Sequence, residues 1–531
     1  MNKKADIVVY GDAAGGVTAA VQAARMNKSV ILVSQFSHLG GMTASGLGWS
    51  DIGNDAILGG LSREFYHRVY KHYMKESSWH LQSRESYGNK GQVGLAFNPD
   101  TELASTFEPK VAEAIFDEMV KDAGVEIVNG RIDLKNGVSK NGDRIITIHL
   151  EDGTSIAGDM FIDASYEGDL LELAGVSFVV GREANAQYNE EGNGNTGPLK
   201  QNQLIDGIDP YIEKGNPTSG LLPGVNETMG GNVGDADHRL QAYCYRMVLS
   251  DKEENRLPIS KPLNYDIKEF EILLRAIEVG ERNEFFKTTM VPNHKSDSNN
   301  TGGISCDYIG ANYGDDWNWV TLDHNQRDKL AAEHRDWQLG LLWTLQNNER
   351  VPDEIKNDVL RWGLPKDEFA DNNNWPYNIY VREGRRMVSD FVMTEGYCKS
   401  KVSVDDSVGM GAYTLDSHNT QRFINNGMVK NEGDIQRRLY QKPYGIAYRS
   451  IIPKKGECEN LVVPWALSAS HIAFGSIRME PVFMILGQSA ATAACMAIDN
   501  NTSVQDVPYE ALRKRLLADG QFLEFSGKME D

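Results

Sequence analysis

The run Ala5-Asp-Ile-Val-Val-Tyr-Gly11-Asp-Ala-Ala-Gly15-Gly16-Val-Thr-Ala-Ala constrains this chain more than any other stretch. A strand-like apolar segment passes through a Gly-rich turn into small residues that suit a helix. A second apolar run, Ser29-Val-Ile-Leu-Val33, follows at a spacing that fits the next strand. The pattern is a βαβ unit, placed where dinucleotide-binding folds commonly start. Gly11 permits the tight turn, and Gly15 or Gly16 lets helix and strand pack closely. The helix start offers unpaired N–H groups to a pyrophosphate. Strict G-x-G-x-x-G would place Gly at position 13, where this chain has Ala13. Close packing alone also explains such a turn.

The residues after the second strand narrow the choice. Dinucleotide folds usually end that strand in Asp or Glu, which holds the ribose hydroxyls. Here Ser34 or Gln35 would hold them through neutral hydrogen bonds. A second Gly-rich loop follows, His38-Leu-Gly40-Gly41-Met42-Thr-Ala-Ser-Gly46-Leu-Gly48. An NAD enzyme has no need of it, whereas a flavoprotein runs such a backbone along its cofactor.

Size and charge bound the rest. A chain of 531 residues exceeds one core, so two lobes are expected. A net charge of −21 argues against a nucleic-acid or anionic-membrane surface. The five cysteines (244, 306, 398, 458, 495) are spread without a C-x-x-C pair, which favours free thiols in a reducing compartment. No stretch reads as the ~20 apolar residues of a membrane span. Met-Asn-Lys-Lys runs straight into the first strand, so no signal peptide and a cytoplasmic location are expected.

Phe107 to Val120 has helical apolar spacing, and Val125-Glu-Ile-Val reads as a strand. Arg144 to Leu150 and Ser155-Ile-Ala look like an antiparallel hairpin, leading into the buried strand-like Met160-Phe-Ile-Asp163. From about 185 to 235 the composition turns to Asn, Gly and Pro, as at a lobe boundary. The next two hundred residues mix helical patterns with tryptophans at 317, 319, 337, 343, 362 and 375, which either stack on a sugar or pack the lobe. Leu461-Val-Val and the small-residue helix from Pro481 close the chain, and that helix is expected to pack on the N-terminal turn.

These residues together resemble the FAD-dependent oxidoreductases distantly related to fumarate reductase and succinate dehydrogenase flavoproteins. Within them the chain is similar to a branch from polysaccharide-degrading bacteria, sometimes labelled xanthan lyase. The matching stretches are His38 to Gly48, Phe161-Ile-Asp-Ala-Ser-Tyr-Glu-Gly-Asp-Leu, Gly181-Arg-Glu-Ala-Asn, Gly303-Ile-Ser-Cys-Asp, Tyr380-Val-Arg-Glu-Gly-Arg-Arg-Met, Leu415-Asp-Ser-His-Asn, Tyr448-Arg-Ser-Ile-Ile-Pro and Ser470 to Arg478. The chain departs from the pattern at Asp12, Ala13 and Gly15, at Ser34, and at Glu480 before Pro481.

The resemblance implies an α/β fold: a Rossmann-like, glutathione-reductase-type FAD lobe from 1–185 and 441–531, with an inserted α+β substrate lobe at 186–440. It implies FAD contacts at Gly11, Gly15, Gly16, Gly40, Gly41, Met42, Asp163 and Ala164, with Arg478, Met479 and Gly487 near the isoalloxazine. Pro481 suits a first helical position whose positive end would face the flavin. A small-molecule substrate would sit where the lobes meet, and the branch points to a sugar or sugar-derived acid.

His471 is the first general-base candidate, since imidazole suits removal of a carbinol proton; a structural His on a backbone carbonyl is the competing reading. His418 is the second, against a turn-capping role. Arg449 and Arg478 are candidates to bind a carboxylate or polarise a carbonyl. Of the pair Arg385 and Arg386, one is expected to bridge to a scaffold carboxylate. Tyr448 would donate to a substrate oxygen or be a buried, satisfied Tyr. No metal site and no Ser nucleophile are expected, since no H-x-x-x-H, H-E-x-x-H or G-x-S-x-G occurs. Two rival activities stand beside hydride transfer from a polar substrate: fumarate-type reduction of an activated C=C bond, and FAD as a structural element.

Overall fold

The computed structural model describes residues 2–92, 94–311, 318–437 and 442–525. Its chain divides into two compact units. The first comprises Met1–Val180, Glu383–Leu415 and Arg437–Asp531; the second comprises Gly181–Arg382 and Asp416–Gln436. The expected boundary at 186 falls at 181. Residues 383–415, expected in the inserted lobe, pack instead in the first unit. The reason is local: Arg386–Met387 pairs antiparallel with Phe178–Val179, and Ser407–Gly411 lies on the long helix Glu480–Asn500, where Ser489 Oγ donates to the Val408 carbonyl at 2.6 Å.

The first unit is built on a seven-stranded sheet. Its path runs Glu126–Asn129, Val30–Ser34, Asn2–Tyr10, Ser155–Asp163, Arg144–His149 and Val138–Asn141. The first four are parallel and the last two antiparallel. Leu461–Val462 joins in parallel beside Phe161 and Ile162, so the C-terminal third of the chain completes a sheet begun at the N-terminus. Ile7, Val8, Val9 and Tyr10 are fully buried, as a central parallel strand covered on both faces requires.

The helices follow from equally local signals. Pro109–Ala123 opens with Pro in its first turn, ends at Gly124 in left-handed conformation, and buries Val111, Ala112, Ile115, Phe116, Met119 and Val120 on one face. The hairpin and the strand expected at 160–163 are continuous, because Ser155–Asp163 is a single nine-residue strand.

The helix Glu480–Asn500 corrects the expectation about apolar length. By length and composition it could cross a membrane, with a mean hydropathy of 1.6. In the first unit 89% of that window is buried. It is a core helix packed on Ala14–Arg25, where Thr18 Oγ1 donates to the Met484 carbonyl at 2.8 Å.

The second unit is α+β. Thr289–Val291, Lys295–Ser298 and Met247–Ser250 form one antiparallel sheet. Val225–Asn226, Gln421–Asn425 and Met428–Glu432 form another. The helix His324–Asn347 starts from a capping box between Asp323 and Gln326. Of the tryptophans, 319, 337, 362 and 375 are buried in this unit, which favours packing, and Trp343 is half-buried. Trp317 lies outside the described residues.

Candidate functional site

The turn after the first strand is made by Gly11, whose φ is 115° and whose N–H donates to the Val33 carbonyl at 3.0 Å. A Cβ there would lie 2.5 Å from the Ala164 carbonyl, so only glycine lets the turn meet the end of Ser155–Asp163. The second Gly-rich loop lies against the first. Gly40 N–H donates to the Asp12 carbonyl at 2.8 Å, and Ala13 bridges to Gly40. The helix Ala14–Arg25 then starts without a side-chain cap and without an acidic residue in its first turn, although Ala14, Gly15 and Gly16 are buried. The first amides of a helix have no internal acceptor.

Ser34 does not replace the ribose-binding acid in a simple way. Its hydroxyl lies between the Asp12 carboxylate, at 2.7 Å, and the Phe36 carbonyl. Asp12 also accepts from the Phe36 amide at 3.0 Å. Burial pushes the Asp12 carboxyl up to about 6, against the bonds from Phe36 and Ser34 that favour its charge. The acid thus comes from the first turn instead of the second strand. Gln35 beside it is part-exposed.

Several expected cofactor contacts turn out to face protein. A Cβ on Gly487 would run into the Gly15 carbonyl oxygen, and a Cβ on Gly15 would come within 2.8 Å of the Phe483 carbonyl. Gly15 and Gly487 are therefore the crossing point of two helices. Gly16 abuts the Gly11 carbonyl. The Asp163 side chain accepts from Ser165 N and Oγ at 3.1 and 2.6 Å and from Leu171 N at 2.8 Å, which ties its carboxylate to its own loop. Burial raises its carboxyl to about 6.

The loop and the long helix meet at a buried carboxyl. Glu480 accepts from Thr43 Oγ1 at 2.9 Å and from Tyr166 Oη at 3.0 Å, while Tyr166 accepts from Met42 N at 2.7 Å. A Cβ on Gly41 would strike that Tyr166 hydroxyl. Burial pushes Glu480 up to about 7, against the two hydrogen bonds. Met479 is the N-cap of this helix and Arg478 the C-cap of the helix before it; both are buried.

His471 is the first residue of the helix His471–Ile477, whose N-cap Ser470 accepts from Ala473 N. Its Nδ1 lies 2.8 Å from Glu383 Oε2, and Arg386 Nε lies 2.8 Å from Glu383 Oε1. Arg386 also donates to the Ala469 carbonyl at 2.7 Å. All three side chains are essentially unexposed. The chain Arg386–Glu383–His471 orients the imidazole by turning its Nδ1 edge onto the carboxylate. Glu383 carries no signal of its own in the sequence beyond its place in the Tyr380–Met387 stretch.

The other candidates have different surroundings. Arg449 is held by Asp406 at 2.8 Å and Asp405 at 2.5 Å on a half-exposed side chain, so its guanidinium already serves a pair of carboxylates. Tyr448 is buried and donates to the Val504 carbonyl at 2.6 Å, the satisfied alternative. Arg385 pairs with Asp169 at 2.9 Å and with Glu172, so both members of the basic pair bridge to carboxylates. His418 belongs to the second unit, where its Nδ1 lies 2.7 Å from Asp307. There burial and Arg382 both depress the imidazole, but Asp307 and Asp416 outweigh them and leave its pKa raised. Cys244, Cys306 and Asp307 in the same unit place their ligand atoms within 4.8 Å of one another, a grouping that the spread of cysteines along the chain conceals.

The donor set of the first unit fits an anionic dinucleotide. Its helix start is uncapped and buried, and the carboxylate in the turn is drawn onto Ser34 and Phe36. The indole Nε1 of Trp465, packed on Tyr166 and Phe483, is a buried donor with no acceptor. Such orphaned donors are what a bound phosphate or flavin oxygen would satisfy.

No curated protein matches this chain. Parts of it are similar to solved structures. L-amino acid deaminase from Proteus vulgaris matches at 15% identity and a TM-score of 0.24, over 35% of this chain and 53% of that one. 3-Ketosteroid-Δ4-(5α)-dehydrogenase from Rhodococcus jostii RHA1 matches at 16% and 0.20, over 32% and 48%. OxyS anhydrotetracycline hydroxylase from Streptomyces rimosus matches at 12% and 0.22, over 34% and 36%. The matches thus take in between 36% and 53% of those three chains. The family model described as FAD dependent oxidoreductase matches residues 6–516. The chain belongs to the FAD-dependent oxidoreductase family, and its cofactor is FAD.

Proposed function

We propose that this enzyme oxidises a carbinol of a small polar organic substrate, with His471 as the general base for the hydroxyl proton. The observation that carries this reading is the buried Arg386–Glu383–His471 chain. A histidine held on an arginine-paired carboxylate is fixed in orientation, which is what a base beside a carbinol requires. FAD, when bound, supplies the acceptor for the hydride. The amides after Gly11, the Gly40-Gly41-Met42 loop and Trp465 Nε1 would hold it, in a first unit that we read as a Rossmann-like lobe. Glu383 positions His471, and Arg386 holds Glu383 in place. Arg478, the buried C-cap of the helix that His471 begins, is the candidate cation for a substrate oxygen. The second unit is read as the substrate lobe. A sugar or sugar-derived acid is the substrate class, by resemblance to the polysaccharide-degrading branch alone.

The test sets a panel of sugars and aldonic acids with an artificial electron acceptor against enoates with reduced methyl viologen. Sugar oxidation is expected, and His471→Gln should lower kcat by roughly 10²- to 10⁴-fold with an unchanged flavin spectrum. Enoate reduction without sugar oxidation would move the assignment to the fumarate-type reaction. Wild-type turnover in His471→Gln would remove the histidine from it.

A further inference from the structure

The second unit holds two cysteine sulfurs and a charged network that the proposed oxidation does not use. Cys244 bridges to Tyr380, whose amide donates to the Cys244 carbonyl at 2.8 Å, and Cys306 directly precedes Asp307. Both thiols are fully buried. Arg382 Nη2 lies 3.1 Å from Cys244 Sγ and 2.9 Å from Asp307 Oδ1. The other Asp307 oxygen is 2.7 Å from His418 Nδ1. We propose that Cys244 and Cys306 form a dithiol–disulfide couple, with Cys244 the nucleophile beside the Arg382 guanidinium and a hydroperoxide as oxidant.

Three observations support this assignment. The two sulfurs lie within 4.8 Å of each other, so side-chain rotation can bring them towards bonding distance. Their environments are asymmetric. Burial raises the Cys244 thiol, but the Cys306 bond and the Arg382 charge outweigh it and leave Cys244 below the ordinary thiol range. Burial and the neighbouring Cys244 drive Cys306 well above it. Elsewhere burial raises Cys458, and raises Cys495 to about 12. A cysteine beside a guanidinium, with a second thiol within reach, is the arrangement of an attacking and a resolving cysteine.

A metal centre is the competing use of the same atoms. Cys244, Cys306 and Asp307 lie within ligand range of one site. However, the Arg382 guanidinium already sits on two of the three donors, and a divalent cation would have to displace that fixed positive charge. Thiol chemistry needs no displacement.

The chemistry closes without further reagents. The Cys244 thiolate attacks a peroxide oxygen, the O–O bond breaks, and hydroxide leaves as Cys244 becomes a sulfenic acid. Hydroxide takes a proton from solvent. Cys306 then loses its thiol proton and attacks the Cys244 sulfur; the S–O bond breaks and water leaves. Two thiols and one hydrogen peroxide give one disulfide and two waters, with the two electrons coming from sulfur.

The test treats the full-length, FAD-loaded protein with one equivalent of hydrogen peroxide under non-reducing conditions, followed by intact mass and peptide mapping. The expected result is loss of the mass of two hydrogen atoms and a single Cys244–Cys306 cross-linked peptide. Cys306→Ser should trap a dimedone adduct on Cys244, and Cys244→Ser should give neither the adduct nor the cross-linked peptide. Oxidation at Cys398, Cys458 or Cys495 instead, or reaction only after unfolding, would overturn the proposal. So would one equivalent of tightly held zinc in the purified protein that Cys306→Ser loses. The wild-type peptide map decides the matter even if a variant fails to fold. No arm reads substrate turnover, so the result is independent of the reaction assigned to His471.

Discussion

Glu480 is the residue whose titration should be visible in the stability of the whole chain. Its carboxyl ordinarily titrates at 4.5 and burial holds it at about 7 in the fold. Between those values the folded state binds a proton that the unfolded state has released. Its contribution to stability is therefore fully present below pH 4.5 and lost as pH rises towards 7. Glu480→Gln keeps the bonds to Thr43 and Tyr166 within reach and removes that loss. It should be more stable than the parent at pH 8, on the order of 1–3 kcal/mol, with the difference vanishing below pH 4.5. Urea melts at the two pH values measure it, and an equal difference at both would mean that the fold does not shift the titration of Glu480. The reach of the sequence at this scale is uneven. Glycine positions are legible because a turn forces them, whereas Glu383 meets His471 across 88 residues, and no local pattern encodes that pairing. The same gap hid Cys244 from Cys306, and it hid Asp12 as the acid beside Ser34.

At the scale of elements, the crossing of Ala14–Arg25 over Glu480–Asn500 is set by two absent side chains. A Cβ on Gly487 would collide with the Gly15 carbonyl and lie 2.7 Å from Thr18 Oγ1, with backbone on one side and a buried hydroxyl on the other. Gly487→Ala is therefore expected to destabilise by roughly 1–3 kcal/mol, as overpacking of a tight interface does. Gly396, in the short helix Glu395–Cys398, is the control. Its nearest neighbour to a Cβ is 3.7 Å away, so Gly396→Ala should be neutral or stabilising by about 0.4–1 kcal/mol. Denaturant midpoints compare the two, and equal costs would contradict the crossing. The elements themselves were the most legible part of the chain, since strand and helix follow from periods of a few residues. The helix expected at 107–120 is observed at Pro109–Ala123, and the strand at 125–128 at Glu126–Asn129. Val138–Asn141, largely exposed and polar, lacked the alternation that would have announced it.

For the whole molecule, the main difference from expectation is where the chain re-enters the first unit. A shift to Asn, Gly and Pro marks one boundary near 181, but the return at 383 has no compositional mark. The signal there is pairing with a strand some two hundred residues earlier, and pairing is not written in composition. Because FAD binds the folded chain, its removal should lower the thermal midpoint. Mass action gives about 2.7 kcal/mol of stabilisation at a free FAD concentration of 100 Kd. Calorimetry with and without added FAD checks this, and a colourless protein that FAD neither colours nor stabilises would contradict it.

The contact between Thr18 and Met484 spans 466 positions of sequence, and it has a consequence for biosynthesis. On the ribosome, the first helix emerges long before its partner exists. The face of Ala14–Arg25 that meets Glu480–Asn500 must wait through translation of the entire second unit, whereas Asn2–Tyr10 can pair earlier with Val30–Ser34 and Ser155–Asp163. Closure of this helix pair is thus a late event in synthesis, and the nascent first helix keeps its apolar face uncovered until then.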